Sequence, residues 1–457
     1  MNKSCLPMLS LAVLSVLAFG WNESRARAAE AEGVAFGQAL APMLVEKCVA
    51  CHGSTKAEGS YRVDTFERLM TAGDSGLAPF SAGKVDDSEV YRRLTSEDSS
   101  ERMPLDGTPL PADQIALVRR WIEAGAKLDG ADPKADLASL VPPPTYPDPP
   151  AAYPAVLPVT ALAFAADGRQ LIVGGYHELT VWNPDDGTLV RRVKNLAART
   201  YALAFSPDGS KLAVACGSPG RRGEVRLLDS ATGNLLMVFA PSGDVVLDAA
   251  FSPDGTRLAA VGADGFLRVF QAAGNGVPLT VPAHADWTMA VAWSGDGQLL
   301  ATAGRDKSAK VFDAVSGEVR VTYAGHEQVV SGVAFHPEGQ QVYSGGADNK
   351  IHIWNVADGK KAAEIAGAGG EACKLVRGGA FLFAAAPDRS VKQLDAGTRT
   401  QVRTFSGHGE AVLAIAFHAG TQRVAAGAFD GTVRVWNVAD GKQISQFIAA
   451  PGYGSPR

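Results

Sequence analysis

VSGVAFHPEGQQVYSGGADNKIHIWN, residues 330–355, reads as three short strands separated by two turns. Apolar and small residues run from Val330 to Phe335, then Pro337 and Gly339 interrupt them. A second run starts at Val342, and a third, from Ile351, ends in Trp354. Proline and glycine set between β-branched and aromatic runs mark tight turns between strands. The pattern recurs as VTALAFAADGRQLIVGG, TYALAFSPDGSKLAVAC, VLDAAFSPDGTRLAAVG and TMAVAWSGDGQLLATAG. It is degraded in CKLVRGGAFLFAAA and recovered in VLAIAFHAGTQRVAAGA. The turn glycines Gly168, Gly209, Gly255, Gly297, Gly339, Gly379 and Gly420 fall 40 to 46 residues apart, and the longest interval holds the insertion GSPGRRG. A period of about 40–45 residues with four short strands per unit is that of a β-propeller blade. Seven units predict an all-β, seven-bladed propeller over about 158–450.

The third strands LTVWN, VRLLD, LRVFQ, AKVFD, IHIWN, VKQLD and VRVWN set the register. They end their apolar runs in Trp182, Leu228, Phe270, Phe312, Trp354, Leu394 and Trp436. Five units place an aspartate six residues earlier: Asp264, Asp306, Asp348, Asp388 and Asp430. These features resemble WD40 repeats. In that family an Asp, a Ser/Thr, a His and a Trp form a structural hydrogen-bond network. The resemblance implies such a set in the fifth unit, as His326, Ser344, Asp348 and Trp354. The fourth has His284, Thr302 and Asp306, with Phe312 replacing the tryptophan. The seventh has His408, Asp430 and Trp436, with Ala426 in place of the hydroxyl. Such trios look like a Ser/His/Asp catalytic set, but their recurrence at the repeat period argues for architecture. His336 and His418 occupy the serine position of the FSPDG-type turn and are expected to be exposed. Cys216 and Cys373 fall in units that are not neighbours on a seven-membered ring, so buried free thiols are expected rather than a disulfide. Two closures are open: the last unit supplies its own fourth strand through KQISQFIAA, or AAYPAVLP pairs into it.

Far upstream, EKCVACHGS at 46–54 poses three alternatives: a zinc site, a redox disulfide or a covalent haem. The histidine behind the second cysteine favours haem. Two thiols one turn apart can form thioethers with the vinyl groups, and the adjacent imidazole reaches the iron. No other cysteine or histidine lies between Gly53 and Gly130, so a four-ligand zinc site cannot be completed locally. In FGQALAPMLVEKCVACH the apolar residues recur at helical spacing, which puts the pair at or near a helix end. LPADQIALVRRWIEAGA begins with Pro111 and places Ile115, Val118, Trp121 and Ile122 on one face before stopping at Gly125. For the sixth ligand, Met103 in the loop ERMPLDGTPLP is favoured over Met70, which is expected to pack in a helix. An iron left open on that side is the remaining reading.

EKCVACHGSTKAEGSYRVDT followed by EVYRRLTSEDSSERMPLDGTPLPADQIALVRRWIEAGA resembles the planctomycete-type cytochrome c family over about 34–128. The resemblance implies one covalently bound haem c attached through Cys48 and Cys51, with His52 proximal and Met103 distal. It implies no particular reaction. The expected organisation is a signal peptide over 1–28, an all-α cytochrome c-like haem domain over 34–130, a proline-rich semi-rigid linker over 131–157, and the propeller over 158–450.

The 457 residues exceed what one core usually supports, in keeping with a multidomain chain. A formal net charge of −5 and the lack of a basic stripe predict no nucleic-acid partner. Lys3, the apolar run Met8–Phe19 and a polar flank read as an export signal, cleaved after Gly20 or Ala28. A run of that length is too short to span a bilayer comfortably, and no later segment would span, which predicts a periplasmic or otherwise exported protein. Cys5 precedes the apolar run and is misplaced for lipid attachment. The function expected is single-electron transfer through the haem to a redox partner protein, with the propeller docking a protein or ligand. Alternatives are an enzyme whose propeller site passes electrons to the haem, and a haem-based sensor or scaffold.

Overall fold

The computed structural model describes residues 34–453, apart from 50, 54–55, 106–107, 275–277, 369, 371–373 and 387. The expected signal peptide, Cys5 and Cys373 lie outside the described residues. The chain divides into two compact units, through Pro143 and from Pro144. Among the described residues no helix is long and apolar enough to cross a membrane.

The first unit is built from short helical elements. A π-helical turn, Phe36–Leu40, runs into α1, Ala41–Lys47, with Pro42 in its first turn, where a missing N–H costs nothing. Further along come α2, Phe66–Leu69; α3, Glu89–Thr95; and α4, Ala112–Glu123. Pro111 caps α4 rather than opening it, and Val118, Trp121 and Ile122 are buried as their spacing predicts. Trp121 is the hub: Phe36 and Phe80 lie 5.3 and 5.1 Å from it, and its indole N–H donates to the Lys127 carbonyl at 2.9 Å. Burying each large apolar side chain contributes about 1.5–3 kcal/mol, which makes this cluster the main stabiliser of so small a unit.

The second unit is a seven-bladed propeller. Every blade is a four-stranded antiparallel meander in chain order: blade 1 over 162–194, blade 2 over 199–242, blade 3 over 246–282, blade 4 over 288–323, blade 5 over 330–366, blade 6 over 375–405 and blade 7 over 412–448. The register matches the repeat. In blade 5 Val342 pairs with Trp354 and Gly332 with Gly345. The first turns of blades 2 to 4 share one device: the hydroxyls of Ser206, Ser252 and Ser294 donate to Asp208, Asp254 and Asp296 at 2.5, 2.5 and 2.6 Å. Gly209 and Gly255 take φ of 72° and 71° there, a conformation that a Cβ would strain.

Blade 7 takes all four strands from its own repeat, ending at Gln443–Ile448, so AAYPAVLP contributes none. The ring closes by packing instead. Trp182 stacks on Phe447 at 4.8 Å, Ser445 donates to the Pro184 carbonyl at 2.6 Å, and Arg423 pairs with Asp185 at 2.7 Å. His418 is half-buried rather than exposed because its Nε2 lies 3.0 Å from the Ala166 carbonyl of blade 1. His336 is also half-buried, stacked on Tyr343 at 5.8 Å.

The proline-rich stretch from Pro144 onward is bonded to the propeller. Tyr146 donates to Glu224 at 3.0 Å, while Arg226 bonds Glu224 at 2.6 Å and lies 4.8 Å over the Tyr146 ring. Tyr153 donates to Glu178 at 2.7 Å. Arg192 grips the same carboxylate and donates to the carbonyls of Pro150 and Ala151.

Candidate functional site

Helix α1 ends at Cys48, whose N–H still donates to the Leu44 carbonyl at 2.9 Å. The next turn stays coiled, with Cys51 N–H and His52 N–H both donating to the Cys48 carbonyl, at 3.2 and 2.9 Å. The two thiols are thereby presented one turn apart, unbridged, Cys48 partly buried and Cys51 exposed. Burial pushes the Cys48 thiol up to about 11, the charge of Cys51 adding to the effect, so Cys48 stays protonated at neutral pH.

His52 is fixed from behind. Its Nδ1 lies 3.2 Å from the Tyr61 carbonyl, and its own carbonyl accepts from Val63 N–H at 2.7 Å. An imidazole whose Nδ1–H donates to a backbone carbonyl offers Nε2 as a metal ligand, the usual outer-shell support of a ligating histidine. Tyr61 is held in turn: its hydroxyl donates to the Leu69 carbonyl at 2.8 Å, and burial raises its pKa. Tyr61 is not legible as a site residue in the sequence, because its contact with His52 runs through a backbone carbonyl that any residue carries.

Met103 sits on a loop tied by its N–H to the Arg93 carbonyl at 3.0 Å, near the end of α3. Met70 is the C-terminal cap of the four-residue α2 rather than a residue within a longer helix. Both methionines, with Cys48, Val49 and Tyr61, border the apolar cluster centred on Leu40, Leu44 and Trp121. Two unbridged thiols, an imidazole with Nδ1 engaged and an apolar flank with thioether sulfur fit the donor set of a c-type haem.

In the propeller, the histidines form buried hydrogen-bond networks. His326 meets Asp348 and Ser344 at 2.8 Å through its two nitrogens, and Trp354 donates to Ser344 at 3.1 Å. His284 meets Asp306 at 2.9 Å and Thr302 at 2.8 Å. Among the described residues His326, Asp348 and His352 are the one trio with metal-ligand proximity. The two imidazoles stack face to face at 4.0 Å and both His326 nitrogens are engaged, so they do not converge on an ion. In blade 7 His408 Nδ1 finds Thr432 at 3.1 Å, and its Nε2 has no partner because Ala426 stands where Ser344 and Thr302 stand elsewhere. Blades 3 and 6 have no such histidine; there Asp264 and Asp388 pair with Arg268 and Lys392, each at 2.6 Å.

The chain thus joins a small helical unit that presents a Cys-x-x-Cys-His turn to a seven-bladed propeller of repeats. Sequence comparison divides the chain the same way. A family model for planctomycete cytochrome C matches residues 48–107, and one for the WD domain, G-beta repeat, matches 233–271, 276–313, 317–355 and 399–437. The chain therefore carries a planctomycete cytochrome C segment followed by WD40 repeats. The four matched repeats end in the third strands of blades 3, 4, 5 and 7, where an aromatic and an aspartate both stand at their positions. An uncharacterized WD repeat-containing protein of Synechocystis sp. is 30% identical over 96 residues, which cover 21% of this chain and 27% of that protein. The match thus spans about a quarter of that relative's length.

Proposed function

We propose that this is an exported c-type cytochrome that transfers single electrons through one haem, with its propeller as the docking platform for a partner protein. The observation that carries the reading is the His52–Tyr61 contact beside two unbridged thiols in a Cys-x-x-Cys-His turn. Cys48 and Cys51 would hold the porphyrin through thioethers, and His52 would supply Nε2 to the iron. Tyr61 keeps that imidazole oriented, and the apolar flank of α1 would shield the bound group from water. Met103 is the proposed distal ligand, because its loop is anchored at Arg93. The haem supplies reversible one-electron exchange at iron. Export follows from the N-terminal signal pattern, since haem c attachment and a cleaved leader belong to the same compartment.

The test is maturation of the full chain in a host that attaches haem c, followed by acid–acetone extraction. The expected result is colour retained on the polypeptide with one iron per chain. Colour that extracts into the solvent, or both thiols open to alkylation, would overturn covalent attachment.

A further inference from the structure

One position on each inner strand falls at the same level of the propeller ring. It is set by pairing: Ala202 with Ala215, Asp248 with Val261, Ala290 with Ala303, Gly332 with Gly345 and Ala414 with Gly427. In blades 1 and 6 the carbonyls of Ala161 and Lys374 at this position accept from Gly174 and Ala385 N–H, at 3.0 and 3.2 Å. Five blades place alanine or glycine at this level. Blades 3 and 6 place a carboxylate and an ammonium.

Small side chains at one level leave the channel open. A cavity of about 500 Å³ lies along the inner strands, with Asp248, Lys374 and Arg377 on its wall and Phe205, Phe251 and Trp293 beside them. Asp248 is held in place: its two oxygens accept from Ala249 N–H at 3.1 Å and from Val291 N–H of the neighbouring blade at 3.0 Å. Those bonds leave about half of its acceptor capacity unused. Burial raises its pKa and the charge of Lys374 works against that rise, so the site favours a further positive group against this carboxylate. A buried carboxyl and a lysine that line one cavity are both engaged by a bound group that brings the opposite charge to each. A cavity with a few convergent polar groups and aromatic walls is the usual form of a small-molecule site.

We propose that the channel binds a free α-amino acid, its ammonium on Asp248 and its carboxylate on Lys374, with Arg377 selecting an acidic side chain. Ammonium and carboxylate on one carbon present both counter-charges within a single small molecule. The site is independent of the haem.

Titration calorimetry of the full haem-loaded chain with L-glutamate, glycine and L-lysine tests this. Glutamate is expected to bind most tightly, glycine more weakly and lysine weakest. Asp248→Asn and Lys374→Met should each weaken glutamate about tenfold or more, the loss expected for a charge-assisted bond. Arg377→Ala should bring glutamate down to the affinity of glycine. No binding heat from any of the three amino acids would overturn the proposal, as would glutamate affinity unchanged by Lys374→Met. That variant alters a partly exposed side chain, so it keeps the test decisive if Asp248→Asn fails to fold.

Discussion

Tyr153 donates its hydroxyl hydrogen to Glu178 at 2.7 Å, and Glu178 is completely buried. Blades 1 and 2 lack the aspartate found in the other five blades. Each carries instead a buried glutamate, Glu178 or Glu224, four residues before the residue that ends its apolar run, Trp182 or Leu228. An arginine and a tyrosine complete both sites, Arg192 with Tyr153 and Arg226 with Tyr146. The segment that reads as a spacer thus supplies to two blades the polar closure that blades 4 and 5 obtain from histidine.

Tyr153→Phe should lower the stability of the propeller by about 1–3 kcal/mol, since it removes a hydrogen bond to a buried charge. Glu178→Ala should cost about 3–5 kcal/mol, because it leaves Arg192 without its carboxylate. Denaturant midpoints followed by tryptophan fluorescence would measure both. A Tyr153→Phe midpoint equal to that of the parent would show the segment to be a passive tether.

Ala426→Ser should stabilise blade 7. His408 Nε2 is buried without a partner, and the serine hydroxyl would occupy the place that Ser344 fills toward His326. The gain expected is about 1 kcal/mol. The reciprocal Ser344→Ala should cost about 1–3 kcal/mol, since it orphans His326 Nε2 and frees the Trp354 indole N–H. Paired thermal melts of the two variants check the sign of each change.

Stability should fall in mild acid. Burial lowers the pKa of His284 and brings His352 and His408 down to about 4. An unfolded histidine titrates at about 6.5, so between these values the unfolded chain binds more protons than the folded one. The contribution of the neutral histidines is therefore complete above about pH 6.5. It is lost as pH falls from there toward 4 and is level below. Melting temperature recorded from pH 7.5 to 4 should drop through that window, and the slope should shrink in His408→Gln. A flat profile would mean that these imidazoles are solvated.

Met103→Ala should abolish the weak long-wavelength band of sulfur-ligated ferric haem while leaving the haem attached. Met70→Ala should leave the band in place and cost only packing, about 2–5 kcal/mol for a core methionine and less at this half-buried cap. Visible spectra of the two matured variants decide between the sulfurs. Loss of the band in Met70→Ala alone would move the assignment to Met70.

The sequence by itself determined the repeat number, the register and the residues of the Cys-x-x-Cys-His turn. Periodicity, turn chemistry and ligand spacing are all local, and each is written within a few dozen residues. Seven aromatic or apolar strand ends at one spacing leave little choice but seven blades, and the histidine networks of blades 4 and 5 lie where that spacing puts them. Only the tertiary structure decided how the ring closes, what Tyr146 and Tyr153 are for, why His418 is not exposed, and that the Tyr61 carbonyl stands behind His52. The physical reason is common to all four. Each is a contact between residues far apart in the chain or through a backbone atom, and neither distance across a fold nor an anonymous carbonyl leaves a mark on local sequence pattern.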